Sequence, residues 1–114
     1  MLKIVVFIRR KEGLSRAQFQ DYYENHHRKL ISNIADHITD YRRSYPIDEG
    51  AGFDCLTEIW ARDEAQLKQL QAAYRKAYPI ISEDEKNFID QASLKMVICE
   101  EHDICEALGR HANS

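Results

Sequence analysis

Short runs of apolar residues predict four β-strands along the chain. Residues 2–9 are rich in β-branched and aromatic side chains and end at a glycine-containing turn, which predicts a first strand that is apolar on both faces. Residues 41–45 and 54–61 alternate apolar and polar positions, and the proline after the first of these runs marks it as an edge strand. Residues 94–99 predict a last strand, again apolar on both faces.

Apolar positions three and four residues apart predict a first helix between the first two strands. Ser15 and Gln18 have the spacing of a capping box, in which each side chain bonds the backbone N–H of the other residue, so the helix is expected to begin at Ser15. The apolar pattern starts at Phe19 and predicts one long helix that ends near Ile38.

A second helix is predicted to open at Arg62 or Asp63. Because proline lacks the N–H that a helix interior needs, Pro79 is expected to interrupt this helix before a last turn through Phe88 and Ile89.

The order strand, helix, strand, strand, helix, strand predicts a ferredoxin-like α+β fold, in which two helices cover one face of a four-stranded antiparallel sheet. The open face should then carry apolar side chains of the first and last strands, either Val5, Phe7, Val97 and Cys99 or their opposite-face neighbours. An exposed apolar face favours a partner, so we expect a homodimer in which two copies pair face to face by two-fold symmetry.

Length and composition describe one globular domain. The 114 residues are 44% hydrophobic and 31% charged, and we expect a domain over residues 1–101 with a fraying tail over residues 102–114. A net charge of −3 offers no basic field for nucleic acid. No apolar stretch reaches the roughly 20 residues of a membrane span, and the N-terminus lacks the features of a signal peptide, so we predict a cytoplasmic protein without membrane or nucleic-acid partners.

Missing motifs exclude several enzyme classes: kinases, nicotinamide enzymes of the Rossmann type, serine hydrolases and thiol oxidoreductases. The sequence has no Gly-rich phosphate loop, nucleotide fingerprint, nucleophile elbow or Cys-x-x-Cys pair. The cysteines are odd in number and fit reduced thiols: Cys55, Cys99 and Cys105. Three histidines lie at a helix end or in the tail with a spacing unlike that of metal ligands: His37, His102 and His111. We therefore expect no metal site and no cofactor.

Three segments of the chain follow the pattern of one known protein family. "LKIVVFIRRKEGLSRAQFQDYYENHHRKL" is similar to that family's opening strand, Gly-Leu-Ser/Thr turn and His before Leu. "FDCLTEIWARDEAQL" resembles its second half, and "EDEKNFID" its Asp-Glu-x-x-Phe-Ile/Leu-Asp signature. Together the segments resemble the EthD family, a branch of the dimeric α+β barrel superfamily, which implies that two copies form such a barrel. The family often has Pro two residues after its His, whereas this chain has Lys29.

The resemblance implies a pocket more clearly than a reaction. It implies an enzyme that binds a small apolar cyclic, aromatic or polyketide-like compound between helix and sheet and acts by His-mediated acid–base chemistry of the dehydratase, isomerase or cyclase type. Two alternatives stay open. One is an oxidoreductase, either a cofactor-free monooxygenase or a haem protein ligated by His26 or His27, and the other is a non-catalytic accessory protein of a catabolic pathway.

The adjacent histidines are the leading catalytic candidates. Helical periodicity places His26 near the middle of the apolar stripe, whereas the family's spacing selects His27, at the stripe's edge. We predict that His27 lines the cleft and moves a proton near neutral pH, with His26 as the second choice. The competing interpretation of either ring is a packed histidine that bonds a backbone carbonyl.

Five further residues complete the predicted site. Asp54, at the start of a strand, is a candidate catalytic carboxylate, although a solvated turn residue is the simpler reading. Tyr41 is a candidate to orient a substrate oxygen, and Tyr23 to line the substrate site, although tyrosines at helical spacing are more often core. Phe7 and Trp60 are candidate substrate contacts or aromatics of the core or dimer interface.

Overall fold

The chain folds as four strands and two long helices in the predicted order. The computed structural model describes residues 1–109. The elements are β1 (Leu2–Ile8), α1 (Arg16–Asn25), two 3₁₀ segments (His27–Asn33 and Ala35–His37), β2 (Asp40–Ser44), β3 (Cys55–Ala61), α2 (Glu64–Glu85), a third 3₁₀ turn (Gln91–Ser93), β4 (Lys95–Glu100) and α3 (Ile104–Ala107).

The strands form one antiparallel sheet in the order β2-β3-β1-β4. β1 lies in the interior of the sheet, where Leu2 pairs with Ala61 of β3 on one side and with Glu100 of β4 on the other. β2 is an edge strand, as its closing proline predicts. The predicted ferredoxin-like α+β fold is confirmed.

The two faces of the sheet follow the alternation in the sequence. Ile4, Val6 and Ile8 of β1 are buried in one hydrophobic core, together with Phe19 of α1 and Leu70 of α2. The intervening residues of β1 are partly exposed on the open face. The core therefore lies between the helices and one face of the sheet.

The first helix is shorter than the sequence predicts. The capping box forms, since Ser15 Oγ accepts from Gln18 N–H at 3.1 Å and Gln18 Oε1 accepts from Ser15 N–H at 2.8 Å. However, α1 ends at Asn25, because the His26 backbone leaves the α region at φ −122°, and the chain continues as a 3₁₀ segment. The predicted single helix to Ile38 is wrong.

The second helix is longer than predicted. Asp63 caps it, with Oδ1 accepting from Gln66 N–H at 2.8 Å, and it runs without interruption to Glu85. The predicted break at Pro79 is wrong. Pro79 and Arg75, whose carbonyl loses its helical partner, both lie on the exposed side of α2, where water can satisfy that carbonyl.

The open face carries a charge cluster among its apolar residues. Lys3 Nζ lies 2.7 Å from Glu58 Oε2 and 3.0 Å from Glu101 Oε2, and Trp60 Nε1 donates to Glu101 Oε1 at 2.7 Å. The apolar residues of this face include Val97, which is 38% exposed and pairs with Val5 across the strands.

The C-terminal segment leaves the sheet after β4. Glu101 N–H donates to the Met1 carbonyl at 2.9 Å, and the short helix α3 follows. The division at residue 101 stays a prediction, and His111 lies outside the described residues. Across residues 1–109, no helix has the length and apolarity needed to cross a membrane.

Candidate functional site

A mainly apolar cavity of about 100 Å³ lies between the helices and the sheet. Aliphatic side chains from β1, β3, β4, the first 3₁₀ segment and α2 form most of its wall. Its polar lining groups are few: Tyr23, His27, Tyr41, Thr57, Tyr74 and Glu85. A small number of polar groups in an apolar cavity is typical of small-molecule sites.

The His27 ring is buried at this cavity. It is the first residue of the 3₁₀ segment that follows α1, and it is 5% exposed. Its ring packs edge to face against the Tyr23 ring, with 5.5 Å between the ring centroids, and its centroid lies 4.9 Å from that of the Phe88 ring. Aromatic packing on both sides fixes the orientation of the imidazole.

Asp84 holds His27 through one nitrogen. His27 Nδ1 lies 2.8 Å from Asp84 Oδ2, and the Tyr22 hydroxyl donates to Asp84 Oδ1 at 2.6 Å. Burial opposes ionisation of Asp84, but the hydrogen bonds from Tyr22 and His27 outweigh it and lower the pKa of Asp84. An ionised Asp84 accepts a hydrogen bond from Nδ1–H, which leaves Nε2 of a neutral His27 unprotonated and able to act as a base.

The second nitrogen of His27 meets accessible space. Within residues 1–109 no protein group hydrogen-bonds Nε2, and no fully buried side-chain nitrogen or oxygen in that range lacks a partner. Nε2 is therefore not sealed inside the protein. His27 is also part of the cavity lining, and Nε2 is its ring nitrogen without a hydrogen bond to residues 1–109.

Three hydroxyl groups of the cavity lining form a hydrogen-bonded chain: Tyr41, Tyr23 and Thr57. Tyr23 Oη lies 2.7 Å from Tyr41 Oη and 2.8 Å from Thr57 Oγ1. These two bonds use two of the three hydroxyl protons. The third proton is available to Cys55 Sγ, 3.7 Å from Thr57 Oγ1, or to an acceptor inside the cavity.

Burial keeps this hydroxyl chain neutral. It raises the pKa of Tyr23 and Tyr41 far above the ordinary value for a phenol, and it raises the pKa of Cys55 to about 11. The chain can therefore donate a hydrogen bond to a ligand oxygen but does not supply a negative charge.

Glu85 is the second carboxyl group of the site. It is 7% exposed, and its Oε1 accepts from Gln91 Nε2 at 3.3 Å. Burial raises the pKa of Glu85. Burial, together with the charge of Glu85, raises the pKa of nearby Tyr74 to about 12.

A second apolar cavity of about 210 Å³ adjoins the first. The two share Ile34, Ile59, Tyr74 and Met96 in their linings. Met96, one of these shared residues, is 54% exposed on β4 at the edge of the sheet. Each cavity is smaller than the roughly 300 Å³ of a typical ligand pocket.

The structure brings three of the predicted site residues together and separates the other four. His27, Tyr23 and Tyr41 line one cavity. His26 is exposed and stacks on Tyr22 at 4.9 Å, outside the cavity lining. Asp54 accepts from the backbone N–H and the guanidinium of Arg10, both at 2.8 Å, in a separate polar cleft. The last two lie on the open face of the sheet: Phe7 and Trp60.

The sequence-based reasoning missed Asp84 and Glu85 as site residues. Both belong to the segment "EDEKNFID", which supports the family resemblance. The segment ends α2 beside the start of the first 3₁₀ segment, and its Phe88 packs on His27. Its position next to the predicted histidine follows only from the tertiary fold.

Comparison with known proteins agrees with this architecture. The sequence profile of the EthD domain matches residues 11–92. An EthD family protein from Bacillus halodurans C-125 superposes with a TM-score of 0.68 at 22% identity, covering 90% of this chain and 99% of that chain. No curated protein matches the sequence.

Two more solved structures share the fold. An EthD-like protein from Ralstonia eutropha JMP134 has a TM-score of 0.63 at 17% identity, covering 87% of this chain and 89% of that chain. A dimeric protein of unknown function with a ferredoxin-like fold, from Bacteroides fragilis NCTC 9343, has a TM-score of 0.62 at 11% identity, covering 88% and 95%. At these identities the likeness shows the fold.

Proposed function

The chain belongs to the EthD family, and on that premise we propose that it is a small-molecule enzyme with His27 as its general base. The substrate is an apolar cyclic, aromatic or polyketide-like compound held between helix and sheet. The reaction is a dehydration, isomerisation or cyclisation of an activated C–H compound. The observation that carries the proposal is the His27–Asp84 pair at the wall of an apolar cavity.

The pair supports proton transfer in two ways. Asp84 fixes the tautomer, so that Nε2 is the nitrogen that accepts a proton from the substrate. Once His27 is protonated, the adjacent carboxylate stabilises the imidazolium by charge. A general base of this kind supplies about a hundred- to ten-thousand-fold in rate, which is enough for an activated substrate.

The hydroxyl chain can stabilise the negative charge that develops on the substrate when His27 removes a proton. Removing a proton beside a carbonyl places negative charge on the carbonyl oxygen. Tyr41 is the predicted donor to that oxygen, and Tyr23 supports it through the 2.7 Å hydrogen bond between their hydroxyls. This assigns Tyr41 a substrate contact and Tyr23 a positioning role.

The cavity favours this chemistry over the haem alternative. A porphyrin is larger than either cavity. A non-catalytic protein that only binds the ligand would have the same cavity as an enzyme. The two differ in whether they accelerate hydrogen–deuterium exchange on the bound compound.

Hydrogen–deuterium exchange on a model ketone tests the proposal. The probe is 2-tetralone, a bicyclic aromatic ketone whose benzylic C–H beside the carbonyl is an activated acid. We expect the protein to accelerate exchange of this proton in D₂O, followed by NMR. His27→Ala should lower the rate at least about a hundredfold while the dissociation constant changes less than about tenfold, because proton transfer acts on the transition state.

His26→Ala is the matched control, because it removes an exposed ring one residue away. It should leave exchange intact. Binding of 2-tetralone without faster exchange would identify a protein that only binds the ligand and end the enzyme proposal. Loss of exchange in His26→Ala but not in His27→Ala would show that the wrong histidine is assigned.

We also propose that two copies of the chain pair through their open sheet faces. The relative from Bacteroides fragilis is described as a dimeric protein with a ferredoxin-like fold. The open face of this chain combines apolar residues with charges that are already paired within one copy. A charge that is already paired within one copy is less costly to desolvate than an unpaired one.

A further inference from the structure

The cavity contains a carboxyl group that the proposed acid–base pair does not use. Glu85 lies in the last turn of α2 and is almost fully buried at the cavity wall. Within residues 1–109 its one side-chain hydrogen bond comes from the neutral amide of Gln91, at a long 3.3 Å. Across the described chain, no lysine or arginine forms an ion pair with Glu85.

We propose that Glu85 is the acidic partner of His27, and that it binds an uncharged ligand as a neutral carboxylic acid that donates to a ligand oxygen. This inference rests on the proposed function, from which it takes the position of the ligand in the cavity beside His27. It narrows the ligand to uncharged compounds with a carbonyl, hydroxyl or ether oxygen, and it disfavours carboxylates and other anions.

Desolvation is the physical reason for proton uptake. An apolar ligand replaces water near the Glu85 carboxyl group, and loss of water disfavours the charged form. Burial already raises the pKa of Glu85 in the ligand-free protein, and the charge of Asp84 acts in the same direction, whereas a protonated His27 opposes it. The titratable groups that line the cavity or adjoin Glu85 on α2 are His27, Asp84, Tyr74, Tyr23 and Tyr41.

A neutral Glu85 completes a balanced proton transfer. His27 Nε2 takes the proton of a C–H bond beside a carbonyl, and the electron pair of that bond forms the C=C bond of the enol. The C=O π electrons move to oxygen, which takes the Glu85 proton. The product is a neutral enol, with His27 protonated and Glu85 ionised, and solvent returns the proton from one to the other.

The pH dependence of ligand binding tests this assignment. The experiment measures the dissociation constant of 2-tetralone by calorimetry between pH 5 and pH 8, in buffers of different ionisation enthalpy. We expect binding to take up protons and the dissociation constant to rise with pH, approaching tenfold per pH unit once free Glu85 is ionised. Glu85→Gln keeps the shape and a donor, so its dissociation constant should change less than twofold over this range.

Glu83→Gln is the control, because Glu83 is exposed on the same helix two residues earlier. It should keep the pH dependence of the natural chain. His27→Ala should also keep it while losing exchange activity, which separates this inference from the proposed function. A flat profile in the natural chain, or a steep one in Glu85→Gln, would overturn the assignment.

A second measurement needs no ligand. A buried acid whose pKa is raised in the folded protein contributes to the free energy of unfolding in its protonated form. This contribution is complete below the pKa of the acid in the unfolded chain, about 4.3, and is lost as pH rises through the pKa in the folded protein. The melting temperature of the natural chain should therefore fall relative to Glu85→Gln between pH 4.5 and pH 8. A constant difference over this range would contradict the inference even if 2-tetralone fails to bind.

Discussion

At the scale of single residues, burial and one hydrogen bond distinguish His27 from its neighbour His26. The buried line of α1 runs through Phe19 and Tyr23 to His27 at steps of four residues, whereas His26 continues the outer line from Tyr22. The periodicity that favoured His26 included apolar residues after Asn25, where the chain turns as a 3₁₀ helix with three residues per turn. The family's spacing identified the buried ring because it does not depend on an ideal helix.

The His27–Asp84 hydrogen bond should make stability depend on pH at the acidic end. Asp84→Asn removes a carboxylate that holds two donors, and we expect it to lower the free energy of unfolding by about 1–3 kcal/mol at pH 7. The folded pKa of Asp84 is lowered, so this stability is present above the unfolded pKa of about 3.9 and is lost as pH falls through the folded value. Urea unfolding at pH 7 and below pH 3 measures the difference.

Asp48→Asn, in an exposed loop, is the control for the loss of one carboxylate. It should change the free energy of unfolding by less than about 0.5 kcal/mol at either pH. A difference between the natural chain and Asp84→Asn that stays constant down to low pH would show that the ionised carboxylate does not stabilise the fold.

At the scale of elements, the two helices depart from their sequence patterns for local reasons. α1 ends early because His26 adopts a non-helical backbone and His27 turns into the core. α2 continues through Pro79 because its buried residues on either side, Ala77 and Ile81, keep packing against the core. Tertiary packing decides both outcomes, and no local signal in the sequence reports it.

Pro79 should be a site where stability can be gained. Pro79→Ala restores a backbone N–H that can bond the carbonyl of Arg75, and it relieves the clash of the proline ring with that turn. We expect the free energy of unfolding to rise by about 1–3 kcal/mol in urea titrations.

Lys76→Ala is the control on the exposed side of the same helix, and it should have little effect. Destabilisation by Pro79→Ala would mean that the proline stabilises the chain through its rigid backbone in the unfolded state more than it weakens the helix.

At the scale of the whole molecule, the sequence predicts the sheet far better than the cavity. The alternation in residues 54–61 predicts that Cys55, Thr57 and Ile59 share one face of the strand, and the structure buries that face in the core. The cavity instead depends on contacts such as Tyr23 with Thr57 and His27 with Asp84, which are 34 and 57 residues apart. Such contacts form only after the helices pack on the sheet. A single sequence therefore shows which residues are present but does not predict which of them will be in contact.

Pairing through the open face gives the last prediction. Val97 is exposed on this face and pairs with Val5 of the central strand β1, so a charge at position 97 costs little in one copy but would be buried between two. We expect sedimentation equilibrium to give twice the 13.4 kDa chain mass at micromolar concentration, and Val97→Lys to weaken the dimer at least about tenfold.

Ile98→Lys is the matched control, since Ile98 is the next residue of β4, is 50% exposed and points to the helix side. It should keep the dimer mass, because its side chain lies on the other face of the sheet. A natural chain that sediments as a monomer would end the proposal, and equal weakening by both variants would place the contact at the β4 edge instead of the open face.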